Sequence, residues 1–132
     1  MPITVQWHNP EQTIVNFHFT AAWTWAEYDT AAQQARTMMD NVQHKIDIIL
    51  EFDPKGRLPG NSFLNIQRAI ANPHRNQGII VIVGLNVFIR MVGSVMESVY
   101  PALARERKLA ANLEEAQRII SEIQRERSQS TI

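Results

Sequence analysis

The sequence predicts an α/β fold: a mixed five-stranded sheet with its elements in the order ββαβαβαβα. Three observations lead there. The run Gly78-Ile-Ile-Val-Ile-Val-Gly84 is β-branched, uncharged and without polar/apolar alternation, the pattern of a strand covered on both faces. Residues 3–19 instead alternate apolar and polar positions, the pattern of two half-buried strands. The later strand-like runs are separated by segments with apolar residues at three- and four-residue steps, so crossover helices should join strands that run parallel.

In chain order, Ile3, Val5 and Trp7 make the first apolar face and Val15, Phe17 and Phe19 the second. Asn9-Pro-Glu-Gln12 joins the two as a hairpin. A shared face requires Val5 opposite Phe17 and Trp7 opposite Val15. Thr24-Trp-Ala-Glu27 reads as a capping box. It opens a helix to about Val42, with Trp25, Tyr28, Ala32, Ala35 and Met39 on one stripe. Ile46 to Phe52 forms the next strand and ends at Asp53-Pro54. A turn-rich loop follows, then a short helix capped by Asn61 or Ser62. After the strand at 79–83, a helix from about Val87 to Tyr100 carries only two charges, Arg90 and Glu97. Residues 107–111 form a short fifth strand. Asn112-Leu-Glu-Glu115 is a second capping box, with Leu113, Ala116, Ile120 and Ile123 as the buried stripe of the last helix. The expected organisation is one domain over residues 1–127 and a flexible polar tail over 128–132.

Thirteen basic and thirteen acidic side chains cancel, which argues against nucleic acid or an anionic membrane surface as partner. With no cysteine, thiol catalysis and disulfides are excluded. The longest charge-free stretch in the central region, 76–89, is shorter than the ~20 apolar residues of a spanning helix, so a cytoplasmic location and no membrane insertion are expected.

The element order, together with Ile46-Asp-Ile-Ile-Leu-Glu-Phe52, Ile79-Ile-Val-Ile-Val-Gly84, Lys108-Leu-Ala-Ala-Asn-Leu-Glu-Glu-Ala116 and the helix entry Trp23-Thr-Trp-Ala-Glu27, resembles the STAS family of sulfate-transporter and anti-sigma-factor-antagonist domains, in its small stand-alone bacterial form. The resemblance covers nearly the whole chain. It implies a non-enzymatic regulatory or scaffold domain that works by protein–protein contact, with a regulator, a kinase-like protein, a transport component or a second copy as partner. It also places Ser62 near the family's phosphoacceptor, although Asn61 stands where phosphorylated members have an acidic residue.

The residues themselves offer four candidate features. Ser62 lies at a helix start, where backbone N–H groups and the helix dipole stabilise a phosphate; Lys55 and Arg57 share its loop. The competing reading is an ordinary helix cap. Lys55, Arg57, Asn61 and Asn86 also mark a crevice at the strand carboxyl ends where an anion would bind, although no P-loop spacing is present. Ile89, Arg90, Met96 and Glu97 lie on a helix apolar nearly all round, which is either an interface or packed beneath the last helix. The four histidines read as solvent-facing: His8 and His18 sit about 14 Å apart at ~3.4 Å per residue, too far to share a metal. No cofactor or metal is expected. Of Asp47 and Glu51, which share a strand face, one is expected to be a helix-facing partner to an Arg and the other to be solvated near the strand end. Core packing is the stronger reading for Trp25, and Trp23 is open. The alternative function is a small-ligand sensor that takes an anion or an apolar molecule between sheet and helices.

Overall fold

The computed structural model describes residues 2–20, 22–53, 55–56, 59–60, 64–65, 68–69, 71–84 and 107–130. These form β1 (Ile3–Trp7), β2 (Ile14–Phe19), α1 (Trp25–Asp40), β3 (Ile46–Phe52), β4 (Gln77–Val83), β5 (Arg107–Ala110) and α2 (Leu113–Ser130). The strands make one mixed sheet in the order β1-β2-β3-β4-β5. β1 and β2 are antiparallel, and every later pair is parallel.

The hairpin has the register that its apolar residues require, with Val5 opposite Phe17 and Trp7 opposite Val15. Asn9 builds its turn. Its Oδ1 accepts from the N–H groups of Thr13 and Ile14, and its Nδ2 donates to Thr13 Oγ1. Gln12 takes the left-handed conformation at φ 58°.

α1 starts at a complete capping box: Glu27 N–H donates to Thr24 Oγ1, and Thr24 N–H donates to Glu27 Oε1. Its buried stripe, Ala31, Ala35 and Met39, is narrow enough for close approach to the sheet. It closes a core containing Val15, Phe17, Phe19, Ile46, Ile48, Phe52 and Ile82. α2 covers the opposite face, setting Ala116 and Ile120 against Ile14, Ile49, Val81, Val83 and Ala110. Period-two alternation along each strand divides the side chains between these two cores.

β4 is an inner strand, between β3 and β5 and parallel to both, buried over Val81–Val83 and half-buried over Gln77–Ile80; the middle strand is β3, with Ile46 to Ile49 all buried. Several expectations change. α1 ends at Asp40, short of Val42. Residues 128–130, expected as part of a flexible polar tail, continue α2. Polar residues are stable in a helix whose other face is anchored, and Arg127 supplies the anchor described below. Residues 64, 65, 68 and 69 are helical, with Leu64 67% exposed. The rest of that expected helix and the whole of the one from Val87 to Tyr100 lie outside the described residues, so the described elements run ββαβββα rather than ββαβαβαβα.

Candidate functional site

At the carboxyl ends of β2 and β3, aromatic rings form a continuous stack. Phe19 and Phe52 lie 4.4 Å apart at 16°. Trp23 packs on Phe19 at 4.9 Å and meets Trp25 edge-on at 4.9 Å and 78°; Trp25 in turn meets Tyr28 at 5.6 Å. Aromatic pairs in such tilted geometries contribute about 0.5–1.5 kcal/mol each beyond burial. Trp23 is therefore core. The half-buried Trp25 makes the polar contact, since its Nε1–H donates to Gly60 C=O at 3.0 Å. That bond ties the loop after β3 to the first residue of α1. At the same rim the chain leaves β4 through Gly84, at φ +90° and directly over Phe52 C=O, where a Cβ would collide with the carbonyl. Only glycine satisfies both demands.

Of the expected anion-binding group, only Lys55 is described. It sits in a turn in which Asp53 Oδ1 accepts from Lys55 N–H at 2.8 Å and Asp53 C=O accepts from Gly56 N–H at 2.9 Å, and the residue is exposed. Arg57, Asn61, Ser62 and Asn86 lie outside the described residues, as do Ile89, Arg90, Met96 and Glu97.

The amino ends of the strands hold a buried charge. Asp47 is 0% exposed. Its Oδ1 accepts from Ile79 N–H at 2.8 Å and Arg127 Nη2 at 3.0 Å. Its Oδ2 accepts from Gln124 Nε2 at 2.8 Å and Arg127 Nη1 at 3.3 Å. The site depends on an irregularity in β4: Ile46 pairs with Gln77 but Ile48 with Ile80, so Gly78 and Ile79 together face Asp47. A bulge leaves one N–H without a ladder partner, and the carboxylate accepts it. Gly78 makes the room, since a Cβ there would overlap Asp47 Oδ1. Asp47 is thus the helix-facing partner of an Arg that its strand position suggested, while Glu51 is half-exposed. Beside this cluster an open groove of about 310 Å³ is lined by Thr13, His44, Lys45, Gln124, Arg127 and Ser128.

His74 departs from the expectation of solvent-facing histidines. It is 7% exposed, and its Nε2 donates to Asp40 Oδ1 at 2.6 Å. Asn76 N–H donates to Nδ1 at 3.0 Å, which places the proton of the neutral ring on Nε2. Around it the 72–76 segment clamps the end of α1. Arg36 Nη1 donates to Asn72 C=O, and Asn76 Nδ2 donates to the carbonyls of Met39 and Val42, satisfying acceptors that a helix end leaves open. No sequence signal links residues 34 apart in this way. His44 is exposed and bonds Gln12 C=O at 2.8 Å; the half-buried His8 bonds Gln117 at 3.3 Å.

The hydrogen bond from His74 holds the Asp40 carboxyl below the usual aspartate range; desolvation opposes this, and the guanidinium charges of Arg75 and Arg36 reinforce it. A depressed folded-state pKa contributes stability above the unfolded value, and that stability is lost as pH falls through the folded value. Urea melts at stepped acidic pH are expected to show an increment of acid sensitivity below the ordinary aspartate range that disappears in Asp40→Asn.

Among the described residues, no cluster of three or more His, Asp or Glu side chains is placed to hold a metal, and no helix is long and apolar enough to cross a membrane. Comparison with protein-family models, curated proteins and solved structures found no match.

Proposed function

We propose that the chain is a non-enzymatic regulatory or scaffold domain of STAS-like fold that acts by contact with another protein. The observation that supports this most is the Trp25–Gly60 hydrogen bond. It fixes Gly60, the residue that precedes Asn61 and Ser62 in sequence, against the capped start of α1 and the aromatic stack, and a partner that meets a residue already fixed loses less ordering entropy on binding. The acidic group best shielded from water also favours this reading. Among the described residues it is Asp47, and both of its oxygens are taken up by structural donors, so this carboxylate is not a free base for proton transfer. In this proposal Ser62 is the phosphoacceptor, Lys55 and Arg57 flank it, Asn86 shares its crevice, and Ile89, Arg90, Met96 and Glu97 extend the contact surface.

A photo-crosslinking side chain introduced at exposed Lys55, in cells of the natural source, tests the reading. The expected result is one dominant protein adduct, reduced several-fold by Trp25→Phe. That change keeps an aromatic ring but removes the N–H, at a stability cost of about 1 kcal/mol. A crosslinker at exposed Glu114 on α2 serves as the control. No adduct from position 55, or the same scatter of adducts from both positions, would count against the reading.

A further inference from the structure

The direction of each β1 amide follows from the hairpin pairing. His8 N–H donates to Ile14 C=O at 2.8 Å, and Thr20 N–H donates to Pro2 C=O at 2.9 Å. The even-numbered residues of β1 are therefore the ones that exchange bonds with β2. In an antiparallel pair the intervening residues point their amides the other way. Ile3, Val5 and Trp7 thus aim N–H and C=O groups at the outer border of the sheet. Among the described residues, the one side chain that reaches these groups is Gln34, whose Nε2 donates to Val5 C=O at 3.4 Å.

The two borders differ in chemistry. Sheet edges are ordinarily protected by shortness, charge, proline or a bulge. β5 is four residues long and carries Arg107 and Lys108. β1 is Ile-Thr-Val-Gln-Trp, without charge or proline, and its register is unbroken.

We propose that β1 is a docking edge for an extended segment of a partner protein, which adds as a further strand. The segment alternates apolar residues, on the α1 side beside Ile3 and Trp7, with small polar residues on the side of the exposed Thr4 and Gln6. A second copy of this chain fits the edge poorly. The two-fold axis that pairs β1 with itself antiparallel leaves both α1 helices on one face of the sheet. α1 packs over β1 and reaches its border through Gln34. Neighbouring strands lie about 4.8 Å apart, whereas packed helix axes need about 8–10 Å. A bare strand brings no helix. Gln34 is then a guard on the edge, which the incoming backbone displaces from Val5 C=O.

The test uses the whole chain and a synthetic peptide of valine–threonine repeats with glycine–serine ends, followed by amide NMR. The amides of Ile3, Val5 and Trp7 are expected to shift and to exchange about tenfold or more slowly with peptide bound, while those of Thr4 and Gln6, already paired to β2, keep their rates. N-methylation of alternate peptide amides is expected to abolish binding in one phase and spare it in the other, a readout that needs no protein variant. Gln34→Ala is expected to tighten binding a few-fold. The proposal is overturned by no shift at millimolar peptide, by shifts centred elsewhere, or by equal sensitivity to both methylation phases. Protection of the same amides by protein concentration alone would assign the edge to a second copy and also overturn it.

Discussion

Arg127→Met is expected to destabilise the fold by about 3–5 kcal/mol, the range for removing one partner of a buried ion pair, measured as a shift in the urea midpoint with the slope unchanged. Arg127 donates from two guanidinium nitrogens to a carboxylate with no solvent exposure. Its own side chain is 29% exposed, so the arginine shields the site from water while methionine would leave the Asp47 carboxyl group desolvated and short of two donors. The loss exceeds that of a surface pair, at about 0–1 kcal/mol, because the penalty lies with the carboxylate left behind. Asp47→Leu in the Arg127→Met background is expected to recover part of the loss. Recovery stops short because Ile79 N–H then lacks its acceptor, at about 1–3 kcal/mol.

Gly78→Ala is expected to be nearly as damaging, at roughly 2–4 kcal/mol. The added methyl would occupy the space of Asp47 Oδ1 and come within 3.1 Å of Arg127 Nη2. Neither is a free chain end that can swing aside, since each is held by the other. Either the carboxylate leaves Ile79 N–H or β4 moves from β3. In an Asp47→Ala background the same substitution should cost distinctly less, because the group it collides with is gone. A coupling of that sign, read from a double-mutant cycle of denaturation midpoints, distinguishes a clash with this carboxylate from a general intolerance of β4.

What the sequence made legible is what short-range chemistry controls. The alternation around Val5 and Phe17 determined the hairpin register, because a one-residue slip would turn Phe17 and Phe19 out of the core. Thr24 and Glu27 marked the start of α1 through reciprocal bonds spanning three residues. The face shared by Asp47, Ile49 and Glu51 followed from strand period alone, and with it the expectation that one carboxylate faces a helix and partners an Arg.

Long-range relations were not legible. Uniform hydrophobicity at 79–83 signals cover on both faces but not position in the sheet, so it could not rank β4 against β3. Arg127 could not be picked out as the partner of Asp47 because the two lie 80 residues apart, and nothing in a run of polar residues says that one is packed against a strand. The His74–Asp40 pair joins a loop to a helix end for the same kind of reason. Trp23 and Trp25 sit two residues apart at a helix entry, where neither helical nor strand period decides which ring goes inside. The candidate contact surface was legible only as a loop, a serine at an expected helix start and an expected apolar helix beyond β4. The bond from Trp25 to Gly60 depends on the folded position of α1.

The Asp47 carboxylate ties α2 to the sheet by accepting from Gln124, Arg127 and Ile79 at once. Native-state hydrogen exchange of the Ile79 amide reads it at a single atom. Expected is exchange only through global unfolding in the unaltered chain, with protection falling by at least about tenfold more than that of the β2 amides in Arg127→Met. Rapid exchange at Ile79 in the unaltered protein, or protection indifferent to the loss of Arg127, would contradict it.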